Sequence, residues 1–164
     1  MIAVIGCGNP TRGDDGIGPE VVRALTQREI AAHARVRILD AGTDGMGVMF
    51  AARGCRTLLL VDACRCGSAP GSVFEVPGAT LDQRYEPSMN LHDFRWDHAL
   101  FAGRRIFGEL FPTDVTVFLV EAATLDFGIG LSPEAQRGAA TVVDRIEALV
   151  RARLSEEAHV ADAP

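Results

Sequence analysis

The chain has 164 residues, 48% of them hydrophobic and 23% charged, with sixteen basic against twenty-two acidic side chains and a net charge of −6. This composition is that of one globular domain with a sizeable core. The acidic balance argues against nucleic acid or an anionic membrane as partner, and no apolar run approaches the roughly 20 residues needed to span a bilayer.

The N-terminus has no basic stretch followed by a long apolar one, and Met1 runs almost directly into a strand-like segment, so a cytoplasmic protein is expected. Ile2-Ala3-Val4-Ile5 reads as a short buried strand. The Gly-rich turn Gly6 to Gly16 follows it. Such turns commonly bind phosphate through bare backbone N–H groups. Here the turn ends in Asp14 and Asp15, which would repel a pyrophosphate and suit a cation or acid–base chemistry.

Ile17, Val21, Val22 and Leu25 recur at helical spacing and predict a helix over residues 17–31. Val36 to Asp40 alternates as a second strand, Ala41 to Gly45 is a turn, and residues 46–52 form a short helix. Thr57 to Asp62 is a continuous apolar run closed by a carboxylate, the pattern of a central strand buried on both faces. Residues 67–71 break the chain. Ser72 to Val76 alternates as a strand nearer the edge, and 77–91 reads as irregular loop. A helix over 93–110 and a strand over 115–120 follow. Ser132 is a good N-cap and Pro133 a good first residue for the last helix, whose apolar stripe is Ala139, Val142, Val143, Ile146 and Val150. A single domain over 1–154 is expected, with residues 155–164 a frayed tail.

Alternating strands and helices imply an α/β fold: a three-layer sandwich of a mostly parallel, twisted sheet of about five strands with helices on both faces. Working sites in such sheets lie beyond the carboxyl ends of the strands. That rule brings Asp15, Asp40 and Asp62 to one edge. Asp62 reads either as a cap or loop anchor or as a metal ligand or acid–base group, because a carboxylate after five apolar residues is costly if unpaired. Of Asp14 and Asp15, one can cap the following helix, and Asp15 is the one expected to be spare.

His33 and His159 read as surface residues, while His92 lies in a polar loop and His98 in the following helix. Two carboxylates and an imidazole make an O,O,N set suited to nickel, zinc or manganese with open positions. The same two carboxylates, if close, can instead activate a water. Cys7, Cys55, Cys64 and Cys66 show no C-x-x-C spacing. Reduced, partly buried thiols are the ordinary expectation, and a metal or redox role for Cys64 and Cys66 is the lesser alternative.

The motifs together resemble the [NiFe]-hydrogenase maturation endopeptidases, the family that trims the C-terminal extension from the hydrogenase large subunit. The resemblance rests on Gly6-x-Gly8-Asn9 with Asp14-Asp15-Gly16-x-Gly18, Asp40-x-Gly42-Thr43-x-Gly45, Leu60-Val61-Asp62-Ala63 with Gly67-x-x-Pro70-Gly71, and Leu131-Ser132-Pro133, in that order along nearly the whole chain. It implies metal contacts at Asp15, Asp62 and His92, and a water activated either by the metal or by a catalytic carboxylate drawn from Asp15 and Asp62. Asp40, Gly42, Thr43 and Gly45 become the substrate-recognition turn. Asn90-Leu91-His92 departs from the family's Ser/Thr-x-His pattern, which keeps His98 as an alternative third ligand. The implied partner is the precursor of the large subunit. It brings its own nickel, for which other divalent ions can substitute in vitro. Two other readings compete with it. One is a dinucleotide-binding domain, for which Gly6-x-Gly8 and Asp40 speak, and against which Thr11 stands in place of the third glycine. The other is a non-catalytic module that binds a metal or a partner.

Overall fold

The five apolar runs form one sheet in the order β2-β1-β3-β5-β4. The strands are β1 (Ile2–Cys7), β2 (Val36–Gly42), β3 (Thr57–Cys64), β4 (Val73–Pro77) and β5 (Asp114–Glu121). They are seen in a computed structural model that describes residues 1–81 and 95–161, the last five of these as backbone alone. β2, β1, β3 and β5 run parallel, and β4 closes one edge antiparallel to β5.

Side chains along each strand alternate between two cores, as the two-residue period of a strand requires. Ile2, Val4, Leu59, Val61, Phe118 and Val120 face α1 (Ile17–Leu25) and α4 (Pro133–Ala161). Ala3, Ile5, Leu58, Leu60 and Val117 face α2 (Gly45–Ala52) and α3 (Trp96–Phe107). The expected three-layer α/β sandwich is thus present. β3 is buried along its first six residues because it lies in the middle of the sheet with a helical layer over each face. Each fully buried Leu, Ile or Val there contributes about 1.5–3 kcal/mol.

Four elements differ from expectation. The first helix ends at Leu25 rather than at 31, and a 3-10 turn, Glu29–Ala32, follows. The Thr26 hydroxyl bonds back to the Arg23 carbonyl and Arg28 turns extended, while Ile30 still reaches the core and mimics helical periodicity. α3 stops at Phe107 because Gly108 takes φ +52, and a 3-10 turn covers Gly108–Leu110. The start of residues 77–91, expected as loop, holds a 3-10 turn at Gly78–Leu81. The segment from Ser155, expected as a tail, continues α4 to Ala161. The Ser132 cap is as expected, its hydroxyl accepting the Ala135 N–H at 3.2 Å. Among the described residues no helix is long and apolar enough to cross a membrane.

Candidate functional site

The loops leaving β1, β2 and β3 meet at the carboxyl edge of the sheet around a cleft of about 210 Å³. Cys7, Gly8 and Asp15 come from the first loop, Asp62 from the end of β3, and Gly42 to Gly45 from the turn after β2. Arg95 and Trp96 close it from the start of α3.

Close backbone approach makes this geometry possible. A Cβ on Gly18 would overlap the backbone of Cys7, so α1 begins directly against the end of β1. Gly8 has φ +125, and a Cβ there would overlap the Asp15 carbonyl oxygen and lie 3.6 Å from Asp62 Oδ1. The backbone of Gly8 therefore passes between the two carboxylate-bearing residues. Its N–H donates to the Gly42 carbonyl at 2.8 Å, tying the first loop to the β2 turn.

Asp62 is 7% exposed. Its Oδ1 accepts the Ala63 N–H at 2.9 Å, and its Oδ2 accepts the Trp96 Nε1–H at 2.7 Å, with the Arg95 guanidinium 3.7 Å away. Burial raises its pKa from 3.8 to about 6; the Trp96, Ala63 and Arg95 contacts oppose that rise and the charge of Asp15 adds to it. Burial also pushes the neighbouring Cys7 thiol far up, helped by the charges of Asp62 and Asp40. Cys7 is thus a protonated, inert wall. Asp15 accepts the Asn9 N–H at 2.9 Å and is half-buried at the cleft. Among the described residues lining it, Arg95 is the one cationic side chain, against the carboxylates of Asp15, Asp44 and Asp62. Such a cleft attracts a cation and repels a phosphate.

Asp14 does something other than cap α1. It is fully buried, and its carboxylate accepts N–H bonds from Ala123, Thr124 and Ser132 and the Ser132 hydroxyl, at 2.7–3.3 Å. It fastens the first loop to the chain after β5 and to the start of α4. Asp40 does not line the cleft; its Oδ1 accepts the Gly42 N–H at 2.8 Å and shapes the turn that does. Thr43 and Gly45 line the cleft directly, and Asp44 caps α2 by accepting the Gly47 N–H at 3.0 Å. His92 lies outside the described residues. His98 is buried at the start of α3, where its Nδ1 accepts the Arg95 N–H at 3.3 Å, and it is not among the residues lining the cleft. Sequence reasoning missed Trp96 and Arg95, and it placed Gly8 in the motif without giving it a role in the site. A single tryptophan beside a basic residue at a helix start was the available signal for the first two.

The hydrogenase maturation protease family model matches residues 19–149. The hydrogenase 2 maturation protease of Escherichia coli is 30% identical over 156 residues, covering 92% of this chain and 90% of that protein. The coenzyme F420 hydrogenase subunit delta of Methanothermobacter thermautotrophicus is 31% identical over 93 residues, and the match spans 51% of this chain and 59% of the subunit's length. Among solved structures, the hydrogenase maturating endopeptidase HybD from E. coli superposes with a TM-score of 0.79 at 27% identity, covering 93% of each chain. The dinucleotide-binding alternative is not favoured, in keeping with three carboxylates where a pyrophosphate would sit. With sequence, fold and family model in agreement over most of its length, this chain belongs to the hydrogenase maturation protease family and is a peptidase.

Proposed function

We propose that this peptidase removes the C-terminal extension of a [NiFe]-hydrogenase large-subunit precursor that already carries its nickel. The observation that carries this reading is the meeting of Asp15 and Asp62 across Gly8 in one acidic, glycine-walled cleft. Hard oxygen donors in an acidic pocket fit a divalent cation presented from outside. In this reading the nickel is part of the substrate. Asp15 and Asp62 grip it, with His92 as the third ligand that the family resemblance implies. The nickel acts as a template that holds the scissile bond in register, so an unloaded precursor is left uncut. The turn built by Asp40, Gly42, Thr43 and Gly45 reads the chain on either side of that bond.

Asp62 is the residue assigned to proton transfer. In the empty cleft burial holds this carboxyl near 6; a cation beside it favours the ionised form, which is the form a base must have. As the water oxygen bonds to the scissile carbonyl carbon, Asp62 takes the water's proton; as the C–N bond breaks, it returns that proton to the leaving amine. Trp96 and the Ala63 N–H keep the carboxyl aimed at the cleft. A cytoplasmic location accompanies this reading, since the four free cysteines, with Cys66 exposed, suit a reducing compartment.

The test is single-turnover cleavage of one precursor preparation, split into nickel-loaded and nickel-stripped halves. The reading expects cleavage of the loaded half only. Equal cleavage of both halves removes the nickel checkpoint, and cleavage of neither supports the non-catalytic module.

A further inference from the structure

A second cluster stands at the same sheet edge, one strand pair beyond Asp62. Cys64 ends β3, Glu121 ends β5, and the two are direct cross-strand partners. Cys66 folds back over them from the turn that follows β3. One ligand atom from each of the three lies within 4.8 Å of the others. Neither sulfur nor the carboxylate lines the Asp15–Asp62 cleft.

Both sulfurs converge on a single oxygen. Glu121 Oε2 lies 3.5 Å from Cys64 Sγ and 2.9 Å from Cys66 Sγ. The other oxygen, Oε1, accepts the N–H groups of Cys66 at 3.1 Å and Gly67 at 2.9 Å, and Cys66 N–H also reaches Oε2 at 3.0 Å. The carboxylate is therefore oriented by the backbone before any ion arrives, as outer-shell bonds orient a metal ligand. In a tetrahedral zinc site with Zn–S near 2.3 Å and Zn–O near 2.0 Å, a sulfur and an oxygen stand about 3.5 Å apart, so the ion enters with only small side-chain shifts. Exposure is graded. Glu121 is buried, Cys64 half-buried and Cys66 exposed, which leaves an entry path and a fourth position for solvent.

We propose that Cys64, Cys66 and Glu121 form a resident site for a thiophilic divalent cation of the zinc class, separate from the cleft that meets the substrate's nickel. The ion bonds to two thiolates and one carboxylate oxygen, and the two thiol protons leave to solvent. It pins the turn at residues 65–67 to the end of β5. Zinc involves no change of oxidation state, so no oxidant or reductant takes part.

The experiment uses the full chain, stripped of metal and kept reduced with a phosphine, and titrated with zinc against a chromophoric chelator. Cobalt(II) in place of zinc serves as the spectroscopic reporter. The proposal expects one zinc per chain held against the chelator, to which any ion in the Asp15–Asp62 cleft is lost, and a thiolate-to-cobalt charge-transfer band. Glu121→Gln weakens zinc binding about 10–100-fold. Cys66→Ser abolishes the band, and the exposure of Cys66 lets that variant fold, as near-ultraviolet circular dichroism verifies. Asp62→Asn leaves stoichiometry and band unchanged. Three results overturn the proposal: no zinc retained by the reduced wild type, equal retention by Cys66→Ser, or loss of the ion in Asp62→Asn, which would put it in the cleft.

Discussion

Asp14 and Asp15 are neighbours in the chain and opposites in environment. The Asp14 carboxylate is fully buried and takes four hydrogen bonds from three residues more than a hundred positions away. Among the described residues Asp15 takes one, from Asn9, and turns to the cleft with Asp62. The first is saturated and has nothing left to offer a ligand. The second keeps lone pairs free at a site whose backbone is held in place by the first. Saturation marks structure here, and poverty of partners beside an open cleft is what the proposed chemical role of Asp15 requires.

That contrast breaks most visibly in activity. Asp15→Asn and Asp62→Asn should each lower precursor cleavage by about 10³-fold or more while the fold, judged by circular dichroism, stays intact. Near-normal cleavage by either variant removes that residue from the mechanism. Asp14→Ala should do the reverse in kind. It strands donors in Ala123, Thr124 and Ser132, costs about 3–5 kcal/mol and lowers Tm by roughly 10 °C, as urea and thermal unfolding would record. An unfolding curve like the wild type's would mean the knot is redundant.

Proton linkage sharpens the comparison. Asp62 has its pKa raised on folding, from 3.8 to about 6. Its favourable contribution is complete below about 3.8 and is lost as pH rises through about 6. At 1.36 kcal/mol per pH unit the swing is about 3 kcal/mol. Asp62→Asn should therefore gain stability relative to wild type between pH 4 and pH 7, by up to about 3 kcal/mol, while losing activity. A stability difference constant across that range would contradict the buried, charge-averse carboxyl. Trp96→Phe removes one donor to Asp62, and processing should fall about tenfold, with the pH optimum moved upward because the contact that lowers the Asp62 pKa is gone. The smallest effect is expected far from both carboxylates. The exposed Arg145–Glu75 pair at 2.8 Å is screened by solvent, so Arg145→Ala should be nearly silent in both assays.

Much of this was legible in the sequence. Apolar runs gave the five strands, and the rule that parallel sheets work at their carboxyl ends placed Asp15 and Asp62 on one rim. Local signals misjudged helix ends, because Ile30 packs in the core from a 3-10 turn and looked like one more turn of α1. The antiparallel pairing of β4 depends on the route of the chain back to the sheet, which no local pattern encodes. The fate of Asp14 was hidden because its partners lie near residues 123–132. Trp96 and Arg95 reach Asp62 only once α3 is docked, so no spacing in the sequence announced them. Asp40 sat on the expected edge but serves the turn rather than the cleft wall.

In the proposed function Asp15 and Asp62 work as a pair on a metal-bearing substrate. Its most direct test is nickel-edge anomalous diffraction from crystals of this chain soaked in a nickel salt, with the Asp62→Asn variant alongside. The account predicts a peak between the carboxylates of Asp15 and Asp62 in the wild type and none there in the variant. A wild-type cleft without nickel density, at concentrations that place nickel elsewhere on the molecule, would contradict it.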